Sequence, residues 1–157
     1  MIEIQIHGID EIIRTLNLLA QKTEHKEDLM ADIAETMRLA VDKNFEAEGR
    51  PKWLGLSASN SSGKILLGDS GDLRSSITAE SNNDKSIVGS NKTYAAIHQF
   101  GGVITPKKGK YLVFKIGDRW VMTDKVEIPA RPFLMLTPQD EEDILQDVQD
   151  YWQSILK

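Results

Sequence analysis

Ile2, Ile4 and Ile6 alternate with Glu3, Gln5 and His7 at the start of the chain. A period of two makes one face apolar and one wet, which predicts a half-buried strand ended by Gly8. Asp10 can then cap a short helix whose apolar set is Ile9, Ile12, Ile13, Leu16 and Leu19. A longer helix is predicted from about Glu24 to Glu48, with Thr23 as N-cap. Its apolar residues Leu29, Ile33, Met37, Val41 and Phe45 recur every fourth position, with Met30, Ala34 and Ala40 beside them. Gly49 stands where a C-terminal glycine belongs, and Pro51 follows.

The pattern then breaks. "RPKWLGLSASNSSGK", residues 50–64, is rich in Ser, Asn and Gly and reads as a mobile loop. Trp53 and Leu54 are its two large apolar residues, expected to anchor it to the body or to a neighbour. "RSSITAES" and "KSIVGS" predict two short strands joined at Asn82, Asn83 and Asp84. "TYAAIHQFGG" predicts a short helix over 93–100, closed by Gly101 and Gly102. "KYLVFKIGDRWVMTDKVEI" predicts a hairpin turning at Gly117-Asp118, a glycine-first pair suited to a type II′ turn. Leu112, Phe114 and Ile116 share one strand face, and Trp120 and Met122 share one on the second strand. In "IPARPFLML", Pro129 and Pro132 forbid helix and favour an extended edge. A last helix starts with Thr137 as N-cap and Pro138 at its first position. Asp140 to Asp143 lie in its first turn, where the helix dipole favours acids. Ile144, Leu145, Val148, Trp152, Ile155 and Leu156 form its apolar stripe.

This order predicts an α+β fold. A mostly antiparallel sheet with a protruding hairpin (about 110–124) packs against the long helix of the N-terminal half and the C-terminal helix. The 157 residues hold no repeat and no linker that would divide them, so one domain is expected. Aromatics are only 6 % of the chain, so Leu, Ile, Val and Met must fill most of the core.

Charge changes the picture more by distribution than by sum. The net charge of −5 equals the charge of the stretch from Pro138 to Lys157 alone. From Lys85 to Gly117 there is no acid, but Lys85, Lys92, Lys107, Lys108, Lys110 and Lys115. Either these are two solvated faces, or the acidic end and the basic middle meet, within a subunit or between subunits. A nucleic-acid-binding module using Lys85 to Lys115 is a third reading. The absence of an arginine cluster and of interleaved aromatics, and an acidic whole, make direct DNA binding unexpected. With no cysteine, disulfides, thiolate catalysis and cysteine-held zinc are excluded. No signal peptide or membrane span is expected.

"GDSG", with Ser70 third, matches the string around the nucleophile of chymotrypsin-like proteases. A small serine hydrolase would pair Ser70 with His98. Against it, the chain order is wrong for that triad, the second glycine after the string is missing, and two strand-rich barrels do not fit this chain. The structural alternative has Asp69 or Ser70 capping a turn, Gly71 at positive φ, Leu73 in the core and Arg74 to Ile77 starting the strand. Spacing also offers no metal set and no phosphate loop. His98 would share a helix face with Tyr94 and Ile97, half-buried and donating to a backbone carbonyl.

Four fragments stand in order: "EGRPKWLGLS", "ILLGDSGDLRSSI", "IVGSNKTYAAIHQFGG" and "YLVFKIGDRWVMTDKVEIPARPFL". The series resembles the phage virion morphogenesis family, the tail-completion proteins of Mu-like phages and prophages, over residues 40 to 156. Ser70 stands where threonine is usual in that family, and the stretch between the first two fragments is short. The resemblance implies a structural protein without enzymatic activity or cofactor. It would finish the tail or head–tail junction as a ring of identical subunits, partnering tail or neck proteins. It would be found in the bacterial host cytoplasm during assembly and then in the virion. The family-motif residues carried over are Trp53, Leu54, Gly71, Leu73, Arg74, Gly89, Tyr94, Ala95, Ile97, His98, Gln99, Gly101, Gly102, Pro129, Arg131, Pro132 and Phe133. Physically, Gly89 with Ser90-Asn91 would turn the chain out of a strand. Arg131, held between two prolines, would offer its fork to a carboxylate on its own chain or on the next subunit. Sheet edges, the hairpin and the acidic terminal helix are the surfaces expected to join subunits.

Overall fold

The computed structural model describes residues 9–56, 64–67 and 70–156. The expected N-terminal strand, residues 57–63 of the expected mobile loop and Asp69 lie outside the described residues. Along the chain, α1 is Ile9–Glu24, α2 Glu27–Glu46, α3 Asp72–Ser75, β1 Ile77–Ser81, β2 Ser86–Ser90, α4 Ala95–Phe100 and β3 Gly102–Ile104. Then come β4 Leu112–Ile116, β5 Arg119–Thr123, β6 Val126–Ile128 and α5 Pro138–Leu156. The fold is α+β. Among the described residues the strands form three separate two-stranded antiparallel ladders, β1-β2, β3-β6 and β4-β5, rather than one sheet.

The long helix starts later than its apolar period suggests. Thr23 does not cap it; its hydroxyl donates to Leu19 O at 2.7 Å inside α1. The chain breaks at His25-Lys26, and the cap comes from far away: Lys26 N donates to Asn83 Oδ1 at 2.6 Å. Asn83 sits in the expected turn between β1 and β2, which Asn82 closes by accepting from Asp84 N and Lys85 N. Ser86 adds a bond to Met30 O at 2.6 Å, so this ladder is tied to the first turn of α2.

The far end of α2 holds the core. Val41, Phe45, Trp53, Ile65, Leu73, Ala95 and Phe133 form one buried cluster. Phe45 meets Phe133 at 5.4 Å between ring centres and Trp53 edge-on at 5.9 Å. The close turn depends on Gly49, at φ 98°, where a Cβ would lie 2.6 Å from the Trp53 ring.

A buried polar network lies beside that cluster. Arg50 grips Asp140 with both terminal nitrogens, at 3.1 and 2.8 Å, and donates to Asn44 Oδ1 and Ala40 O at 2.8 Å. Asn44 spends its amide on Phe133 O and Met135 O, both at 2.8 Å. Thr137 and Asp140 exchange bonds as a capping box at the start of α5. Thr137 is thus the N-cap expected, but Asp140 is more than a dipole partner: it is 1 % exposed. Leu145 and Leu156, expected in the apolar stripe of α5, are 55 % and 61 % exposed, on the outer edge of that stripe.

Removing Asp140 leaves the Arg50 charge uncompensated beside the core. Asp140→Ala should therefore cost about 3 kcal/mol, against about 1 kcal/mol for Thr137→Ala, which removes only a cap. Burial raises the Asp140 pKa, but its bonds from Thr137 and Arg50 outweigh this and hold it low. That stabilisation is present above about pH 4 and lost as pH falls through the folded-state pKa. Urea melts of both variants check the ranking; equal losses would refute the network's role.

Candidate functional site

Three stretches far apart in sequence converge on one extended segment, residues 129–136. The first is α4. His98 O accepts from Arg131 N at 2.7 Å. Gln99 Oε1 accepts from Phe133 N at 3.0 Å and Leu134 N at 2.9 Å, while its Nε2 donates to Leu134 O at 3.3 Å. The helix leaves through Gly101 at φ 71°, where a Cβ would lie 2.7 Å from Ala130 N and 2.9 Å from Ile128 O. Glycine is needed there both for conformation and for close approach. β3 then pairs with β6, Gly102 opposite Ile128, so the two blocks run alongside each other.

The second stretch is the loop after α2. Trp53 is 8 % exposed and donates from Nε1 to Pro132 O at 3.1 Å. The anchoring expected of this loop is Trp53's alone, since Leu54 is 68 % exposed. Leu54 contributes through its backbone: Arg131 Nε donates to Leu54 O at 3.1 Å and its Nη2 to Gly55 O at 3.3 Å. Arg131 was expected to meet a carboxylate; its fork instead meets two carbonyls, and burial pulls its pKa down. The third stretch is Asn44 of α2, described above.

His98 is half-buried, with its ring edge-on to Tyr94 at 6.1 Å. Its Nδ1 is buried and has no hydrogen-bond partner among the described residues, so the expected donation to a carbonyl is not the arrangement at that nitrogen. Burial, and then the Arg131 guanidinium, hold the imidazole below its ordinary value. The charged group acting on His98 is thus a cation, whereas the base of a serine triad is oriented by a carboxylate. Ser70 lies exposed in the turn before Gly71. Among the described residues no three His, Asp or Glu side chains group as a metal site, and no helix is long and apolar enough to cross a membrane.

The remaining motif residues lie elsewhere. Gly71 has φ 64° at the N-cap of α3 without a side-chain cap bond. Leu73 joins the core cluster, as does Ala95. Arg74 and Ser76 do not start the strand, because 72–75 is helical. Arg74 forks onto Asp42 at 2.5 and 2.7 Å and reaches Glu46 at 3.0 Å. Gly89 is no turn: it pairs with Thr78 inside β2, with open space around its Cα. Sequence reasoning missed Asn44, Arg50 and Asp140. A signal for the last was present, since Thr137-x-x-Asp140 has capping-box spacing.

A sequence model of the phage virion morphogenesis family matches residues 8–153. The chain belongs to this family. A family relative in Haemophilus influenzae, named Mu-like prophage FluMu G protein 2, is 50 % identical over 157 residues, covering all of both chains. Putative capsid assembly protein G of Escherichia phage Mu is 35 % identical over 78 residues, half of this chain and 40 % of that one. No solved structure matches. Membership makes this a structural protein of virion assembly. The convergence just described gives the family-like blocks "YAAIHQFGG" and "IPARPFL" a physical meaning, each holding the other's backbone.

Two outcomes follow. Gly101→Ala should destabilise by more than about 2 kcal/mol, while Gly89→Ala should change stability by less than about 0.5 kcal/mol; thermal melts check the contrast. The His98 pKa is lower folded than unfolded, so its contribution is complete above about pH 6.5 and lost as pH falls toward the folded value. The melting temperature should therefore drop as pH falls below about 6.5, and His98→Gln should flatten that part of the profile. An unchanged slope in the variant would refute the assignment.

Proposed function

We propose that this chain is a non-enzymatic, single-domain subunit that completes the phage tail or the head–tail junction as a ring of identical copies. It works with tail or neck proteins, in the host cytoplasm during assembly and afterwards in the virion, and needs no cofactor. The observation that carries this is the outer face of the β4-β5 hairpin. Trp120 is 72 % exposed, Met122 65 % and Val113 58 %. Such a face, on a protein with a closed core elsewhere, marks a surface completed by another protein. The candidate site supports the same reading, because the Gln99, Trp53 and Arg131 side chains bond backbone groups and no acid, base and nucleophile are assembled there among the described residues.

A second reading, capsid assembly, is favoured by the name of the phage Mu relative. Deleting the gene from an inducible Mu-like prophage separates the two. Under the proposed role, micrographs of the lysate show DNA-filled heads beside unattached tails. Aberrant or empty heads would favour capsid assembly, and infectious particles at normal titre would refute both. Complementation with Ser70→Ala should restore full titre; failure would revive a hydrolase.

A further inference from the structure

Exposed apolar groups and positive charge coincide on this molecule. The β4-β5 ladder pairs Val113 with Met122 and Lys115 with Trp120, so these four side chains share the outer face. Tyr111 continues that face by strand alternation, with the Lys110 ammonium 5.8 Å from its ring centre. The opposite face of the ladder, Leu112, Phe114 and Ile116, is half-buried. Lys115 lies 3.6 Å from the Asp118 carboxylate at the solvent-exposed turn, where a partner's acid can replace it, and Lys110 has no ion-pair partner among the described residues; the outer face therefore asks for a partner that is both apolar and acidic.

The same chain carries such a surface elsewhere. α5 faces inward against α1 and α2. Its acids facing that side are engaged: Asp140 with Arg50, Asp143 with Lys43, and Asp147 with Thr36. Its outer side shows Glu142, Leu145, Gln149 and Leu156 at helical spacing, with Glu141 beside them. Leu145 and Leu156 are more than half exposed, and Glu141 and Glu142 have no ion-pair partner among the described residues. No base lies anywhere in α5.

We propose that the basic apolar face of the hairpin docks on the acidic apolar face of α5 of a second copy of this chain. Trp120, Met122 and Val113 meet Leu145 and Leu156, while Lys110 and Lys115 face Glu141 and Glu142. The two faces are different patches of one chain, so the contact is head-to-tail, and repetition closes into a ring or runs on as a filament. This rests on the ring reading above and names its interface. Like-signed partners are rejected, which gives the contact its register.

The test uses two full-length variants with one face reversed in each: Lys110→Glu/Lys115→Glu on the hairpin and Glu141→Lys/Glu142→Lys on α5. Light scattering and sedimentation across a concentration series measure association, and circular dichroism melts confirm that each variant folds. The native chain should associate, and each variant alone should associate about a hundredfold more weakly. An equal mixture should associate like the native chain, because every contact in an alternating assembly is again opposite in sign. Trp120→Ala/Met122→Ala alone should stay dispersed, and its intact α5 should still accept a native hairpin, so added to the native chain it should shorten or cap the assemblies. A native chain that is monomeric at its highest soluble concentration would overturn the ring reading itself. Native association that survives both reversals, or a mixture that stays dispersed, would leave the ring standing and overturn this interface. Association lost only in the hairpin variant, or binding of duplex DNA to that face, would likewise overturn it and assign the hairpin to a different partner.

Discussion

Arg50 and Asp140 carry opposite charges into a place where Asp140 is almost without solvent. Such a pair is tolerated only with good geometry and with the remaining polar atoms satisfied. Here both conditions hold. The guanidinium forks onto the carboxylate, and its other donors reach Asn44 and Ala40 O. Asp140 takes the Thr137 N–H as well. The network thereby fixes three things at once: the exit from α2, the start of α5, and through Asn44 the path of the extended segment between them. Phe133 can lie fully buried under Phe45 because its carbonyl has somewhere to go.

Among the described residues that extended segment has no ladder partner beyond β6, yet its backbone is bonded nearly residue by residue. Arg131 N finds His98 O, and Pro132 O takes the Trp53 indole. Phe133 N and Leu134 N share Gln99 Oε1, while Phe133 O and Met135 O share the Asn44 amide. Buried backbone groups must be paired, and where no strand is available side chains take the strand's place. The residue types in the two blocks follow from this. Gln and Asn each offer a donor and an acceptor, Trp offers a buried donor on a large ring, and Gly101 lets two backbones touch. The same polar residues that could suggest chemistry are occupied in holding a chain that has no sheet of its own.

What the sequence made legible was local. The period of α2, the two-residue turn of the hairpin, the Asn82–Asp84 turn and the Thr137 cap are each settled within a few residues, where spacing and turn chemistry act. What escaped was settled across long separations. Thr23 looks like a cap because nothing nearby says that Asn83, far along the chain, supplies the bond. Arg131 looks like half of an ion pair because the Leu54 and Gly55 carbonyls are invisible as partners until the loop is in place. Leu145 and Leu156 fit an apolar stripe by spacing, but burial depends on how widely α1 and α2 cover the helix. The GDSG string shows the same limit, since Ser70 fits a motif whose other members would have to come from elsewhere in the fold, and the charged group acting on His98 is Arg131.

The interior and the exterior of the chain are thus built by opposite rules. Inside, apart from His98 Nδ1, polar groups are matched closely, down to both ends of an amide and both oxygens of a carboxylate. Outside, between Tyr94 and Met122, large apolar side chains stand in water among lysines. Lone exposed apolar residues are ordinary on any protein. A tryptophan, a methionine and a valine on one face of one hairpin are a contiguous patch. A subunit that remained alone would gain from making these three polar, since exposed strands with apolar faces invite aggregation. Retaining them beside lysines fits the proposal that this surface is finished only when it meets a partner. In the proposed contact the lysines and the apolar side chains would act together: charge would select the approach, and burial of the Trp120 ring would supply most of the hold.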